Sequence, residues 1–221
     1  MIEANYCKLL EDVKRACEKS GRSFDSVKIL IASKYFTFEE LEVLIDCGHK
    51  YFGENTIQQG VEKKILYPNL AWDFIGHLQT NKVRLACENF DTIQSVDSWK
   101  LLSKIQEQSK KSQKIQKVFL QLNLTNAPTQ YGFTIEEVEE MYPKSLELSH
   151  VQIDGLMMIG LKNFKKNSYN FFIELKYFFD KLQKAYKVPG FRELSMGMSE
   201  DFVEAIEAGS TIIRIGSFLK R

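Results

Sequence analysis

The chain has 221 residues, 44% of them apolar, and a formal net charge of +1. That balance argues against a nucleic-acid or membrane-surface protein, both of which usually carry a basic bias. The length and apolar content suit one large domain with a sizeable core.

Apolar residues at Ile2, Tyr6, Leu9, Leu10, Val13 and Cys17 fall on helical spacing, and Gly21 stops the segment. An alternation of strand and helix signals then begins. The run 27–33 reads as a buried strand, followed by a helix opened by Thr37 with Glu40 in capping-box position. Residues 51–53 predict a second strand and roughly 55–66 its helix. Residues 72–75 predict a third, with a helix after Thr80. A fourth strand at 92–96 precedes a helix from Asp97 or Ser98 to about 109. A fifth at 117–123 precedes a helix opened by Thr134 with Glu137, again a capping box. The sixth strand is 151–158, with an aromatic-rich helix over roughly 167–186. The seventh is 193–195, with a helix from near Ser199 to Gly209, and the eighth is 211–215.

Eight strands alternating with helices predict an α/β fold, a single (β/α)8 barrel covering residues 1–221. A doubly wound open sheet is the structural alternative. Six residues follow Ile215, too few for another full helix, so the extra N-terminal helix is expected to fill the empty outer position.

The four cysteines form no C-x-x-C and no zinc spacing, and are expected reduced and mostly buried. No signal-peptide pattern opens the chain, and no apolar run nears the ~20 residues of a membrane span. A cytoplasmic protein is expected. The basic clusters around Lys110–Lys117 and Lys162–Lys166 read as solvated surface.

Chemistry in this architecture sits at the C-terminal ends of the strands. Lys34 follows the first strand, Gly53-Glu54-Asn55 the second and Gly76-His77 the third. Met157-Met158 end the sixth, Ser195 to Ser199 follow the seventh, and Arg214 to Ser217 end the eighth. A lysine there can lose solvent and its proton and attack an aldehyde, which makes Lys34 a candidate Schiff-base residue. Gly197, Ser199 and Gly216-Ser217 suit a phosphate near backbone N–H groups. Glu200 and Asp201 would oppose that anion unless they turn to solvent. Arg214, between Ile213 and Ile215, faces either the barrel interior or an outer helix, and position alone divides these evenly. His77 has no partner at triad spacing and suits positioning or loop packing; His49 and His150 look structural. No Walker A loop or G-x-G-x-x-G follows a strand.

Six segments stand together in one order: Ala32-Ser33-Lys34, Phe52 to Asn55, Ile75 to Lys82, Gly155 to Met157, Leu194 to Phe202 and Gly209 to Gly216. In these the chain resembles the pyridoxal phosphate homeostasis proteins, also called the proline synthase co-transcribed family, over nearly its whole length. The resemblance implies a barrel like the alanine racemase N-terminal domain. It implies pyridoxal 5′-phosphate held as a Schiff base on Lys34, with Arg214 facing the pyridine nitrogen. Ser199, Gly216 and Ser217 would hold the phosphate, and Asn55 and Ser195 would line the site. It further implies a monomeric carrier that buffers cofactor or supplies apo-enzymes, without established turnover. An amino-acid racemase is the alternative; in alanine racemase the second base comes from an additional domain, which is not expected here. Family members often carry a lysine in the loop after strand five, where this chain has Pro128 to Phe133, and the usual Phe-Gly ending is replaced by Phe218 to Arg221.

Overall fold

A computed structural model describes residues 1–125, 130–160 and 165–221, with the backbone alone for 165–167. Eight parallel strands close into a barrel in chain order. They are β1 (Lys28–Ala32), β2 (Tyr51–Glu54), β3 (Ala71–Phe74), β4 (Thr92–Val96), β5 (Gln116–Leu122), β6 (Val151–Met158), β7 (Glu193–Met198) and β8 (Ile212–Ile215). The seam pairs β1 with β8, Lys28 opposite Ile212 through Ile31 opposite Ile215. The open-sheet alternative is therefore excluded.

The helices are α1 (Ile2–Lys19), α2 (Phe38–Asp46), α3 (Ile57–Leu66), α4 (Val83–Asn89), α5 (Trp99–Lys111), α6 (Ile135–Ser145), α7 (Lys165–Tyr186) and α8 (Phe202–Glu207). Both capping boxes form: Thr37 with Glu40 opens α2, and Thr134 with Glu137 opens α6. Gly21 sits just past α1 with φ +66°, a left-handed conformation that favours glycine. Helix α1 packs between α8 and α2 and against the 3-10 turn Ser217–Lys220, the outer position left after β8. Among the described residues no helix is long and apolar enough to cross a membrane. Cys17 and Cys87 are buried, Cys47 is half-buried and Cys7 is exposed, all unpaired.

Two differences from the sequence reading matter. Strand β7 runs on to Met198, because Gly197 at φ +89° turns the chain only there. Helix α8 consequently starts at Phe202 rather than near Ser199, with Asp201 at its N-cap position.

Alternation along the strands sorts side chains into two cores. Ile29, Ile31, Ile213 and Ile215 face the helices in the larger apolar cluster. Leu30, Ala32, Ile75, Phe119, Met157 and Ile212 meet inside the barrel. Barrel interiors are usually filled by branched apolar side chains. Here Asp73, Gln94, Ser195 and Arg214 are buried as well.

Candidate functional site

At the C-terminal mouth of the barrel lies a cavity of about 670 Å³, within the usual range for small-molecule sites. Lys34, Asn55, Ser199, Arg214, Gly216 and Ser217 all line it. Ser195, the seventh residue expected there, is fully buried and sits beneath Arg214, whose Nη1 donates to its Oγ at 2.7 Å.

Strand β1 ends at Ala32, and a 3-10 turn (Ser33–Tyr35) carries Lys34 beyond the strand to the rim. There Lys34 is exposed, with Nζ 5.1 Å from the centroid of the Tyr35 ring. The turn therefore sets the amine on the exposed rim of the cavity rather than inside the barrel. Tyr35 in turn packs on Gly216, where a Cβ would lie 2.2 Å from the ring.

The turn is held from below by a buried ion pair. Lys63 Nζ, from α3, lies 2.6 Å from Glu54 Oε2 at the end of β2, with side chains 7% and 0% exposed. Lys63 also donates to Ser33 O (3.2 Å) and Ser33 Oγ (3.1 Å), and Ser33 Oγ donates to Glu54 Oε2 (2.5 Å). The other Glu54 oxygen accepts from Asn55 N at 2.7 Å. One ion pair thus fixes both the Lys34 turn and the Asn55 loop. Asn55 lines the cavity, and its Oδ1 is buried with no partner among the described residues, a polar atom that ordinarily demands one. Gly76 abuts this loop so closely that a Cβ would lie 2.0 Å from Asn55 O.

Ile213 and Ile215 face outward, so Arg214 points into the barrel, which settles the even division left by position. Its Nη2 donates to Met158 O at 2.6 Å. Burial pulls its pKa down to about 10, partly opposed by Asp201, so the group stays cationic at neutral pH. Ser199 Oγ accepts from Gly216 N (3.0 Å) and Phe218 N (3.1 Å). The Gly216 N–H expected to meet a phosphate is therefore engaged by Ser199. Glu200 is exposed and reaches Arg221 at 3.4 Å. It and Asp201 both remain at the cavity wall; Asp201 Oδ1 accepts from Met198 N at 2.7 Å, and burial raises its pKa.

A smaller lobe of about 160 Å³ adjoins the mouth, lined by Asn55, Gly76, His77, Gln121, Gln130 and Tyr131 among others. His77 stacks on Tyr131, ring centroids 3.7 Å apart, and its Nδ1 meets Asp97 Oδ2 at 3.1 Å. This is a loop-packing arrangement. Pro128 and Thr129 of that loop, and Lys162 of the second basic cluster, lie outside the described residues. His49 is structural: Nε2 must carry the hydrogen it gives to Tyr51 O (2.7 Å), leaving Nδ1 to accept from Tyr6 (3.0 Å).

Sequence reasoning missed Lys63, Asp73, Gln94 and Tyr51. Lys63 looked like one more cation on an amphipathic helix. Asp73 and Gln94 carried a usable signal, since a polar side chain inside a buried strand needs a partner.

The sequence profile of the alanine racemase N-terminal domain family matches residues 32–220. The pyridoxal phosphate homeostasis protein of Aquifex aeolicus is 38% identical over 216 residues, 96% of this chain and 94% of that protein. The protein of the same name from Escherichia coli K12 is 30% identical over 98% of this chain and 94% of its own length. PipY of Synechococcus elongatus, solved with PLP bound, superposes with a TM-score of 0.84 at 32% identity, covering 99% of each chain. Alanine racemase of Clostridium difficile superposes at 0.75 with 18% identity over 99% of this chain and 55% of its own, a likeness of fold alone.

Proposed function

We propose, from the premise that this chain belongs to the pyridoxal phosphate homeostasis protein family, that it binds pyridoxal 5′-phosphate in the barrel mouth and buffers or supplies it inside the cell. The observation that carries this is convergence: a primary amine, a buried guanidinium, a hydroxyl and the Asn55 side chain line one cavity. That set of polar groups fits a phosphorylated aromatic aldehyde.

When bound, the cofactor supplies a reactive aldehyde on an electron-poor ring. Lys34 would be the amine that takes up the aldehyde. Its place on the rim leaves it reachable by an acceptor's amine. Arg214 would serve the ring nitrogen, since an arginine donates a hydrogen bond but does not readily give up its proton. Ser199, with its lone pairs engaged by Gly216 N and Phe218 N, has its own hydrogen to offer to the phosphate. Gly216 and Ser217 complete that wall, and Asn55 also lines the cavity. Ser195 acts through Arg214.

The relatives' names support a carrier rather than an enzyme. In this reading the protein is a single barrel domain acting as a cytoplasmic monomer that hands cofactor to PLP-dependent apo-enzymes. The test is direct. After incubation with PLP and borohydride reduction, peptide mass mapping should find the adduct on Lys34, and Lys34→Ala should lose it. An undiminished adduct in Lys34→Ala would sink the assignment. Transfer to an apo-enzyme with free cofactor trapped, and an assay for amino-acid racemisation, then separate carrier from racemase.

A further inference from the structure

A file of hydrogen bonds runs inside the barrel from the mouth toward its opposite end. Arg214 Nη1 donates to Ser195 Oγ at 2.7 Å, and Ser195 Oγ donates to Gln94 Oε1 at 2.7 Å. Gln94 Nε2 donates to Asp73 Oδ2 at 2.7 Å, and Tyr51 donates to the same oxygen at 2.5 Å. Gln94 and Ser195 are fully buried, and Asp73 is 2% exposed.

The chemistry of the ends allows one arrangement. A guanidinium only donates and a carboxylate only accepts. Ser195 must therefore spend its single hydrogen on Gln94, and Gln94 must turn its NH2 toward Asp73. Flipping that amide would set oxygen against the carboxylate and NH2 against a hydroxyl hydrogen. Every dipole in the file points the same way, with a cation at one end and an anion at the other. Nη1 held by Ser195 and Nη2 held by Met158 O fix the guanidinium plane.

We propose that Gln94, anchored by Asp73, is a positioning residue that holds Ser195 and Arg214 in the one orientation that serves the cofactor's ring nitrogen. This rests on the cofactor reading above. Neither Gln94 nor Asp73 lines the mouth cavity. Asp73 and Tyr51 instead line a separate cavity of about 490 Å³ formed by the N-terminal ends of the strands. Their influence on the mouth passes through Arg214. Stability alone does not call for this file, because well-packed apolar side chains of similar volume generally serve a buried polar cluster's place as well or better.

The test uses Gln94→Leu, which keeps a similar size and removes the bonds to Ser195, Asp73 and Tyr51, with Asp73→Leu, which removes the acceptor, as a second variant should the first fail to fold. Two readouts are taken. In the cofactor-free protein, the Arg214 side-chain ¹⁵N resonances, assigned with Arg214→Lys, should be sharp in the parent and broadened or shifted in each variant. In the PLP-loaded protein, the visible absorption band should shift and affinity fall about tenfold, the scale of one hydrogen bond to a charged group. A variant with unchanged Arg214 resonances and an unchanged band would overturn the proposal. If the parent itself takes up no PLP, the cofactor reading fails instead, and the cofactor-free resonances still report whether Gln94 holds Arg214.

Discussion

Replacing Lys63 with methionine keeps the length of the side chain and removes its charge from under the Lys34 turn. Three contacts go: Glu54 Oε2 at 2.6 Å, Ser33 O at 3.2 Å and Ser33 Oγ at 3.1 Å. Glu54, with no exposed side-chain surface, keeps only the donors from Ser33 and Asn55. Breaking a buried pair from one side costs about 3–5 kcal/mol; the two surviving donors place this case near 3. For a domain of this size that lowers Tm by roughly 6–12 °C. Glu54→Gln in the same background substitutes a neutral amide whose oxygen keeps the Asn55 N–H, while its NH2 donates to Ser33 Oγ and the Ser33 hydrogen turns to Gly53 O, so the double variant should regain more than half of the loss. Thermal and urea unfolding of the four proteins completes the cycle. A loss below about 1 kcal/mol for Lys63→Met, or a double variant as unstable as the two singles added, would refute the account of this pair. PLP affinity should fall in Lys63→Met as well, since Ser33 and Lys34 share one turn.

The remaining predictions concern protonation and close backbone approach. His49 is buried, which depresses its pKa to about 4 from 6.5; its contribution is intact above pH 6.5 and is lost as pH falls through 4. Burial of Asp73 raises its pKa to about 6 from 3.8, an effect of opposite sign over much of the same interval. The comparison must therefore be with His49→Gln, and the parent's stability advantage should shrink by about 3 kcal/mol between pH 7 and pH 4. A constant gap in urea unfolding would contradict the buried neutral imidazole. Gly76→Ala meets Asn55 backbone, which cannot swing aside, and should cost about 1–3 kcal/mol while weakening PLP binding. A full-affinity variant in a cofactor titration would show that the Asn55 loop does not serve the site.

The barrel was legible because strand and helix signals differ in period, and both capping boxes were written in four residues each. The mouth was legible because chain order places strand ends there, which brought Lys34, Asn55, Ser199, Arg214, Gly216 and Ser217 together. The supporting layer was not. Gln94 and Ser195 meet across the barrel interior from strands far apart in sequence, and no local pattern pairs them. Lys63 reaches under a turn thirty residues earlier. The extent of β7 was misjudged: the strand was read as ending at Ser195, whereas it runs to Met198 through Gly197, whose positive φ suits a turn.

The seam between β1 and β8 also bears on how the molecule assembles. β1 lies early in the chain beside its partner β2, but its other edge has no partner until residues 212–215 are made. Closing so long a loop costs chain entropy before any contact repays it. Through most of synthesis the growing sheet therefore carries two open edges, one on β1 and one on the newest strand, both able to recruit foreign strands. A chain truncated before Ile212 keeps the first of these permanently. Substitutions in Ile212–Ile215 should consequently show first in aggregation during expression and refolding, before they show in the affinity of the folded protein.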